Sequence, residues 1–416
     1  MDILRIATAG SVDDGKSTLI GRLLFETQSI TKDKIEALKA ASQRKGLDFV
    51  DLSLLTDGLI AEREQGITID VANIYFNTPN RKYIIADTPG HFEYTRNMVT
   101  GASNASVSII LVDARNGVGE QTRRHFYIAS LLEIKNVIVA INKMDLANYD
   151  QSVFEKIQQD FNEISEQVKK PKQKISFIPI SSLYGENIVE KSDKMPWYDS
   201  LTLLQLLENI EIEDQKDDKS LFRLPVQLVI RPKTEEFHDF RGYAGRVSSG
   251  SIKVGDMIEA LPSKQIGKIS AIYRAQDSVE VASKNDSVTI TLEDDIDISR
   301  GNMLVKVGEQ PELSKELKAR VCWMDTTPLQ NGKTYLLQHG VNRQKTKVTG
   351  IQSVLSINNF EEEELPENIK LNQIGVVSFK LANPIFADPF EVNPPNGAFI
   401  LIDEQSNGTV GVGFMI

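Results

Sequence analysis

Eight residues near the start, Gly10-Ser11-Val12-Asp13-Asp14-Gly15-Lys16-Ser17, fit the pattern G-x-x-x-x-G-K-[ST], between the apolar run Ile3–Ala9 and the helical window Ser17–Phe25. Gly10 and Gly15 let backbone amides turn inward around a phosphate, and a helix N-terminus adds partial positive charge. Lys16 is then placed to bridge β- and γ-phosphate oxygens, with the Ser17 hydroxyl on Mg²⁺ and Thr18 beside it. Asp87-Thr88-Pro89-Gly90 follows the apolar run Tyr83–Ala86. A carboxylate there can hold Mg²⁺ through water, and Gly90 leaves its amide open to a γ-phosphate oxygen. His91 could orient an attacking water or serve as a helix-capping or partly buried imidazole.

Asn142-Lys143-Met144-Asp145 follows the run Val137–Ile141. A carboxylate at Asp145 accepts from both N1–H and the 2-amino group of guanine, whereas adenine offers an acceptor at N1 and no amine at position 2. Asn142 can meet the N7 edge and brace the loop, and the Lys143 stem can cover the base plane. Ser181-Ser182-Leu183, after Ile175–Ile180, would give a backbone N–H to guanine O6. In this order the motifs specify GTP rather than ATP. Between the first two lies Glu62-Arg63-Glu64-Gln65-Gly66-Ile67-Thr68-Ile69-Asp70. Thr68 is placed to ligate Mg²⁺ only while the γ-phosphate is present, so the segment can order with GTP and release after hydrolysis. Glu62–Gln65 also reads as an ordinary solvated face.

Such motifs need strand ends to carry them. Runs at Ile3–Ala9, Val71–Phe76, Tyr83–Ala86, Ser108–Val112, Val137–Ile141 and Ile175–Ile180 read as strands. Windows at Ser17–Phe25, Phe92–Ala102, Glu120–Leu132, Gln151–Val168 and Leu201–Ile210 read as helices. The alternation predicts an α/β domain over residues 1–213, its mostly parallel sheet covered by helices on both faces. The charged stretch Glu211–Lys219 reads as a linker or as the frayed end of the last helix. Short β-branched runs and turn glycines then predict two all-β barrels, at 221–310 and 315–416. Gly408–Gly413 has G-x-x-G-x-G spacing but opens no helix, and reads as a turn. Glu361–Glu364 reads as a solvated loop.

Composition narrows the functions. The 416 residues are 41% hydrophobic and 25% charged with net charge −11, so no overall basic nucleic-acid footprint exists. No DNA partner is expected. One cysteine excludes a disulfide framework or a multi-cysteine metal site, and four histidines without H-x-x-H or H-x-G-H spacing lack a histidine-type nucleotidyltransferase site. No apolar stretch reaches the roughly 18 residues of a membrane helix, and no signal peptide is visible. A cytoplasmic protein away from membranes is expected.

Together these residues resemble the translational GTPase superfamily, a G domain with two β-barrels as in elongation factor Tu and elongation factor 1-alpha. Within it, the sequence is most similar to the large GTP-binding subunits of bacterial sulfate adenylyltransferase (ATP sulfurylase). Ser11 and, for bacterial factors, Asp14 stand where elongation factors usually carry His, and Asp57-Gly58-Leu59, Phe240–Arg246, Val321–Asp325, Asn396–Asp403 and Asn407–Gly411 match the subunit pattern. The resemblance implies a heterodimer with a small adenylyltransferase subunit that makes adenylylsulfate and pyrophosphate from ATP and sulfate, driven by GTP hydrolysis here. It also implies that Val12 and Ile67 are apolar gates flanking a catalytic His91. No further G-x-x-x-x-G-K-[ST] follows Ile180, so no adenylylsulfate kinase module is expected in these residues. The rival reading is an elongation factor delivering aminoacyl-tRNA; the Ser11/Asp14 loop and Phe240–Arg246 argue against tRNA as partner. Arg241 and Tyr243 could contact the small subunit, or Tyr243 could be barrel packing.

Overall fold

The computed structural model describes residues 2–44, 46, 50–55, 72–88, 95–168, 173–212, 220–232 and 240–416. Contacts divide the chain into two units: Met1–Ile212 with Ser356–Glu361, and Glu213–Leu355 with Glu362–Ile416. The loop residues Ile67 and Thr68, the stretch Pro89-Gly90-His91 and most of the charged linker lie outside the described residues.

In the first unit, β1 (Ile3–Ala9), β2 (Ala72–Asn77), β3 (Lys82–Asp87), β4 (Val107–Asp113), β5 (Asn136–Asn142) and β6 (Lys174–Pro179) form one sheet in the order β2-β3-β1-β4-β5-β6. All pairs are parallel except β2 with β3. Every residue of β4 is buried, as a strand covered on both faces requires, whereas the edge strand β2 shows mostly exposed or half-exposed positions. The helix α1 (Lys16–Glu26) puts Leu19, Ile20, Leu23 and Leu24 into the core with Leu4, Ile6, Ile85, Ile109 and Leu111. A side chain at Gly21 would meet the Leu52 carbonyl oxygen at 2.3 Å, so the glycine lets α1 lie against the short turn Leu52–Leu55. One further helix, Lys32–Arg44, was not expected: its sequence is polar, with only Leu38 and Ser42 buried, so it carries little apolar period.

The second unit holds the two expected barrels. In the first, Leu224–Pro225 pairs with Met303–Lys306 while Leu228–Ile230 pairs with Gly242–Arg246. The two halves of one segment thus bond to opposite ends of the sheet and close it. In the second, Thr334–His339 pairs with both Asn342–Leu355 and Ala398–Ile402, closing six strands into a ring. Closure removes the open edges that would otherwise seek other strands. Tyr243 is buried in the first barrel and donates to the Ile296 carbonyl at 3.1 Å; its role is packing. Arg241 pairs with Asp295 and Asp297.

A buried polar cluster joins the barrels. Arg223, fully buried, donates to Asp388 at 3.1 Å and to the Glu309 carbonyl at 2.6 Å. Asp388 also accepts from Asn393 and Asn396, at 3.0 and 2.7 Å.

Two expectations are corrected. Gly408–Gly413 is not a turn throughout, because Thr409–Met415 is a strand. Its glycines face aromatic rings across the sheet, Gly411 opposite Trp323 and Gly413 opposite Phe399. An added Cβ at Gly413 would fall 2.1 Å from the Phe399 ring. The strand therefore lacks β-branched residues at those sites because rings occupy their space. Likewise Glu362–Glu364 is a short exposed strand on Ser353–Leu355, not a free loop. Gly413→Ala should lower unfolding free energy by about 1–3 kcal/mol in urea titration. Gly350→Ala, in open space, should change it far less. Equal effects would refute the ring-packing account.

Candidate functional site

The chemistry-bearing motifs gather at the carboxyl ends of the parallel strands. β1 runs into Gly10, β3 ends at Asp87, β4 at Asp113 and β5 at Asn142, and β6 leads into Ser181. The chain goes from β3 to β4 across β1, so neighbouring connections diverge at these ends and leave a crevice, where open α/β sheets bind ligands.

The loop after β1 is wound tightly on itself. Asp13 and Gly15 have φ of 69° and 92°. The Asp14 carboxylate accepts from the Ser11 N–H at 2.6 Å, and the Asp14 N–H donates to the Ser11 carbonyl at 3.3 Å. Gly15 is doubly required, since a Cβ there would also sit 2.5 Å from Asn142 Nδ2. Lys16, buried, folds its ammonium back onto the Gly10 and Ser11 carbonyls at 2.9 and 3.0 Å. Burial pushes its pKa down, while Asp87, Asp14 and Asp13 pull the other way. Burial likewise raises Asp14, against the Ser11 N–H and Lys16. Val12, Ser17 and Thr18 are half-buried around this loop.

Asp87 pairs in register with Thr8, whose hydroxyl donates to its carboxylate at 3.3 Å. The Thr88 hydroxyl donates to the Thr8 carbonyl at 2.5 Å. Asp87 is thereby fixed one strand from the phosphate-type loop. Pro89, Gly90, His91, Ile67 and Thr68 were expected to complete this side and lie outside the described residues.

The other half of the site is tied to the first by one side chain. Asn142 donates through Nδ2 to the Asp14 carbonyl at 2.7 Å and accepts through Oδ1 from the Ser182 N–H at 2.9 Å. Lys143 reaches back to the Asp13 carbonyl and pairs with Asp113 at 3.0 Å. The Met144 N–H donates to the Ile180 carbonyl, and half-buried Asp145 accepts from the Ser181 hydroxyl at 2.6 Å. Leu183 follows in the same turn.

Sequence reasoning missed two participants. Burial alone would raise the Asp113 carboxyl, yet hydrogen bonds from Arg115 and Lys143 hold it at about 2. Its signal was available: a carboxylate directly after the apolar run Ser108–Val112, placed on its strand as Asp87 is on β3. The other is Arg22 on α1, which donates to the Ser182 carbonyl at 3.2 Å and to the Leu183 carbonyl. No local pattern marks a contact spanning 160 residues.

Ser17 and Asp87 carry hard oxygen donors, the kind that suits Mg²⁺, which keeps waters and takes phosphate oxygens beside one or two protein oxygens.

The model of the elongation factor Tu GTP binding domain matches residues 1–216, and that of the GTP-eEF1A C-terminal domain-like family matches 316–416. The chain is 49% identical to sulfate adenylyltransferase subunit 1 of Alteromonas mediterranea, covering 100% of this chain and 87% of the relative. It belongs to the sulfate adenylyltransferase subunit 1 family. The member from Pseudoalteromonas atlantica is 50% identical with the same coverage. The bifunctional enzyme CysN/CysC of Mycobacterium tuberculosis is 46% identical, covering 100% of this chain and 67% of that one. These names favour the adenylyltransferase reading over aminoacyl-tRNA delivery. A family of proteins named as a subunit implies a companion chain. Among the described residues, no helix is long and apolar enough to cross a membrane.

Proposed function

We propose that this chain is the GTP-hydrolysing subunit of a sulfate adenylyltransferase, acting in the cytoplasm beside a small adenylyltransferase subunit. The partner joins ATP and sulfate into adenylylsulfate and pyrophosphate; this chain converts GTP and water to GDP and phosphate, and the second reaction drives the first. Asn142 carries the reading, because its one side chain ties the loop after β1 to the turn after β6, the two segments whose motifs suit phosphate and base.

On this reading, Lys16 leaves the Gly10 and Ser11 carbonyls for β- and γ-phosphate oxygens, joined by amides of the Gly10–Lys16 loop. Asp145 accepts from N1–H and the 2-amino group of guanine. Ser17, Asp87 and Thr68 would hold Mg²⁺, which neutralises charge spreading over the phosphates when bound. His91 orients the attacking water, with Val12 and Ile67 as its gate; these roles rest on the family resemblance. The domain limits that fit this division of labour are 1–213, 221–310 and 315–416.

The test is co-expression with an adenylyltransferase subunit from one of the relatives' organisms. Sulfate-dependent adenylylsulfate formation should rise several-fold with GTP and fall back with a non-hydrolysable analogue. A rate indifferent to GTP would overturn the proposal.

A further inference from the structure

The turn after β6 has a nearly complete hydrogen-bond account. The Ser181 N–H donates to the Glu186 carbonyl, Ser182 to Asn142 Oδ1, Tyr184 to Ser181 Oγ and Gly185 to the Ser181 carbonyl. The Leu183 N–H in this turn meets no protein acceptor among the described residues. A backbone donor left open at a half-buried position calls for a partner.

The other end of that peptide unit is held by Arg22. Its Nε donates to the Ser182 carbonyl at 3.2 Å, and Nη2 donates to the Leu183 carbonyl. In a trans peptide the carbonyl and N–H point in opposite directions, so fixing the Ser182 oxygen toward α1 aims the Leu183 N–H away from it. A guanidinium on the carbonyl also polarises the unit and strengthens the N–H as a donor. Arg22 Nη1 also lies 3.8 Å from Glu26, one turn further along α1, but Nε and Nη2, which make the two carbonyl contacts, are not part of that pair. Gly185, with φ of 84°, passes so close that a Cβ would meet Glu26 Oε1. Lys16 opens the same helix, six residues before Arg22, or about 9 Å along its axis. One rigid element thus presents a phosphate-type cation at one place and grips the base-side turn at another.

We infer that Arg22 is a positioning residue for base selection, holding the 182–183 peptide so that its N–H meets a 6-oxo group on the purine. This rests on the guanine-nucleotide reading above, and deepens it by naming what sets the choice at position 6.

The test compares GDP, IDP and 6-thio-GDP binding by calorimetry in the wild-type chain, Arg22→Lys and Arg22→Gln. The thio analogue keeps N1–H and the 2-amino group but replaces the 6-oxo acceptor with a poor one; IDP keeps the 6-oxo group and lacks the amine. One good hydrogen bond predicts that wild type prefers GDP over 6-thio-GDP by about five- to tenfold. Arg22→Gln should shrink that ratio to about twofold, with Arg22→Lys between. The GDP-to-IDP ratio, which reads the 2-amino group, should stay unchanged in both. An unchanged GDP-to-thio ratio in both variants, or an equal loss for all three ligands, would overturn the inference. ADP is titrated into the wild-type chain as a fourth ligand, and failure to prefer GDP over it would instead overturn the guanine reading itself. Glu26→Gln serves as control, since it leaves both Arg22–carbonyl contacts in place and should keep both ratios.

Discussion

Asp145→Asn should bind GDP about a hundredfold or more weakly than wild type while gaining affinity for xanthosine diphosphate. The carboxylate offers only acceptors, and guanine presents two donors side by side, N1–H and the 2-amino group. Each charge-assisted bond is worth about 1.5–3 kcal/mol, so losing one and turning the other into a donor facing a donor removes several. Xanthine carries an oxygen at position 2, so an amide that accepts from N1–H and donates to that oxygen suits it. The Ser181 hydroxyl, which donates to Asp145, can still donate to the amide oxygen and hold the variant side chain in place. Calorimetry with both diphosphates decides the matter. A variant that binds GDP as tightly as wild type would remove Asp145 from base recognition.

Lys16→Met should abolish the rise in melting temperature that GTP produces, while changing nucleotide-free stability by only about 1 kcal/mol. The ammonium is buried, and burial already works against its charge. A methionine of similar length ends that penalty, and the cost is two carbonyls, Gly10 and Ser11, that lose a donor. Those changes oppose one another in the empty protein. With nucleotide present nothing offsets the loss, because the ammonium that would meet the phosphates has gone from a desolvated loop. GTP should then bind about a hundredfold more weakly. Thermal melts with and without GTP, at a concentration near the wild-type dissociation constant, separate the two effects; a variant stabilised there as much as wild type would refute the role of Lys16.

What could be read from sequence, and what could not, divides by range. β4 and β5 announce themselves because strands covered on both faces must be apolar throughout, and the motif residues follow them directly. The barrel strands before residue 400 are covered on one face only, and their β-branched residues interleave with exposed polar ones. Thr409–Met415 escaped because its glycines answer to Phe399 and Trp323 on neighbouring strands rather than to any local preference. The helix Lys32–Arg44 escaped because it buries so little that its period is faint. In the candidate site, spacing singled out Lys16, Asn142 and Asp145 but not the partners that fix them. That Asn142 would grip both Asp14 and Ser182, or that Arg22 would hold Ser182 and Leu183, depends on strand order in the folded sheet.

The Arg223–Asp388 cluster bears on how any signal could pass through the barrel half of the molecule. Severing a buried ion pair from one side costs about 3–5 kcal/mol, a sizeable share of the roughly 5–15 kcal/mol that keeps a typical domain folded, so swivelling one barrel against the other at this seam is opposed. The two barrels should therefore move together at this seam, and a displacement of one should be carried into the other through Arg223 and Asp388.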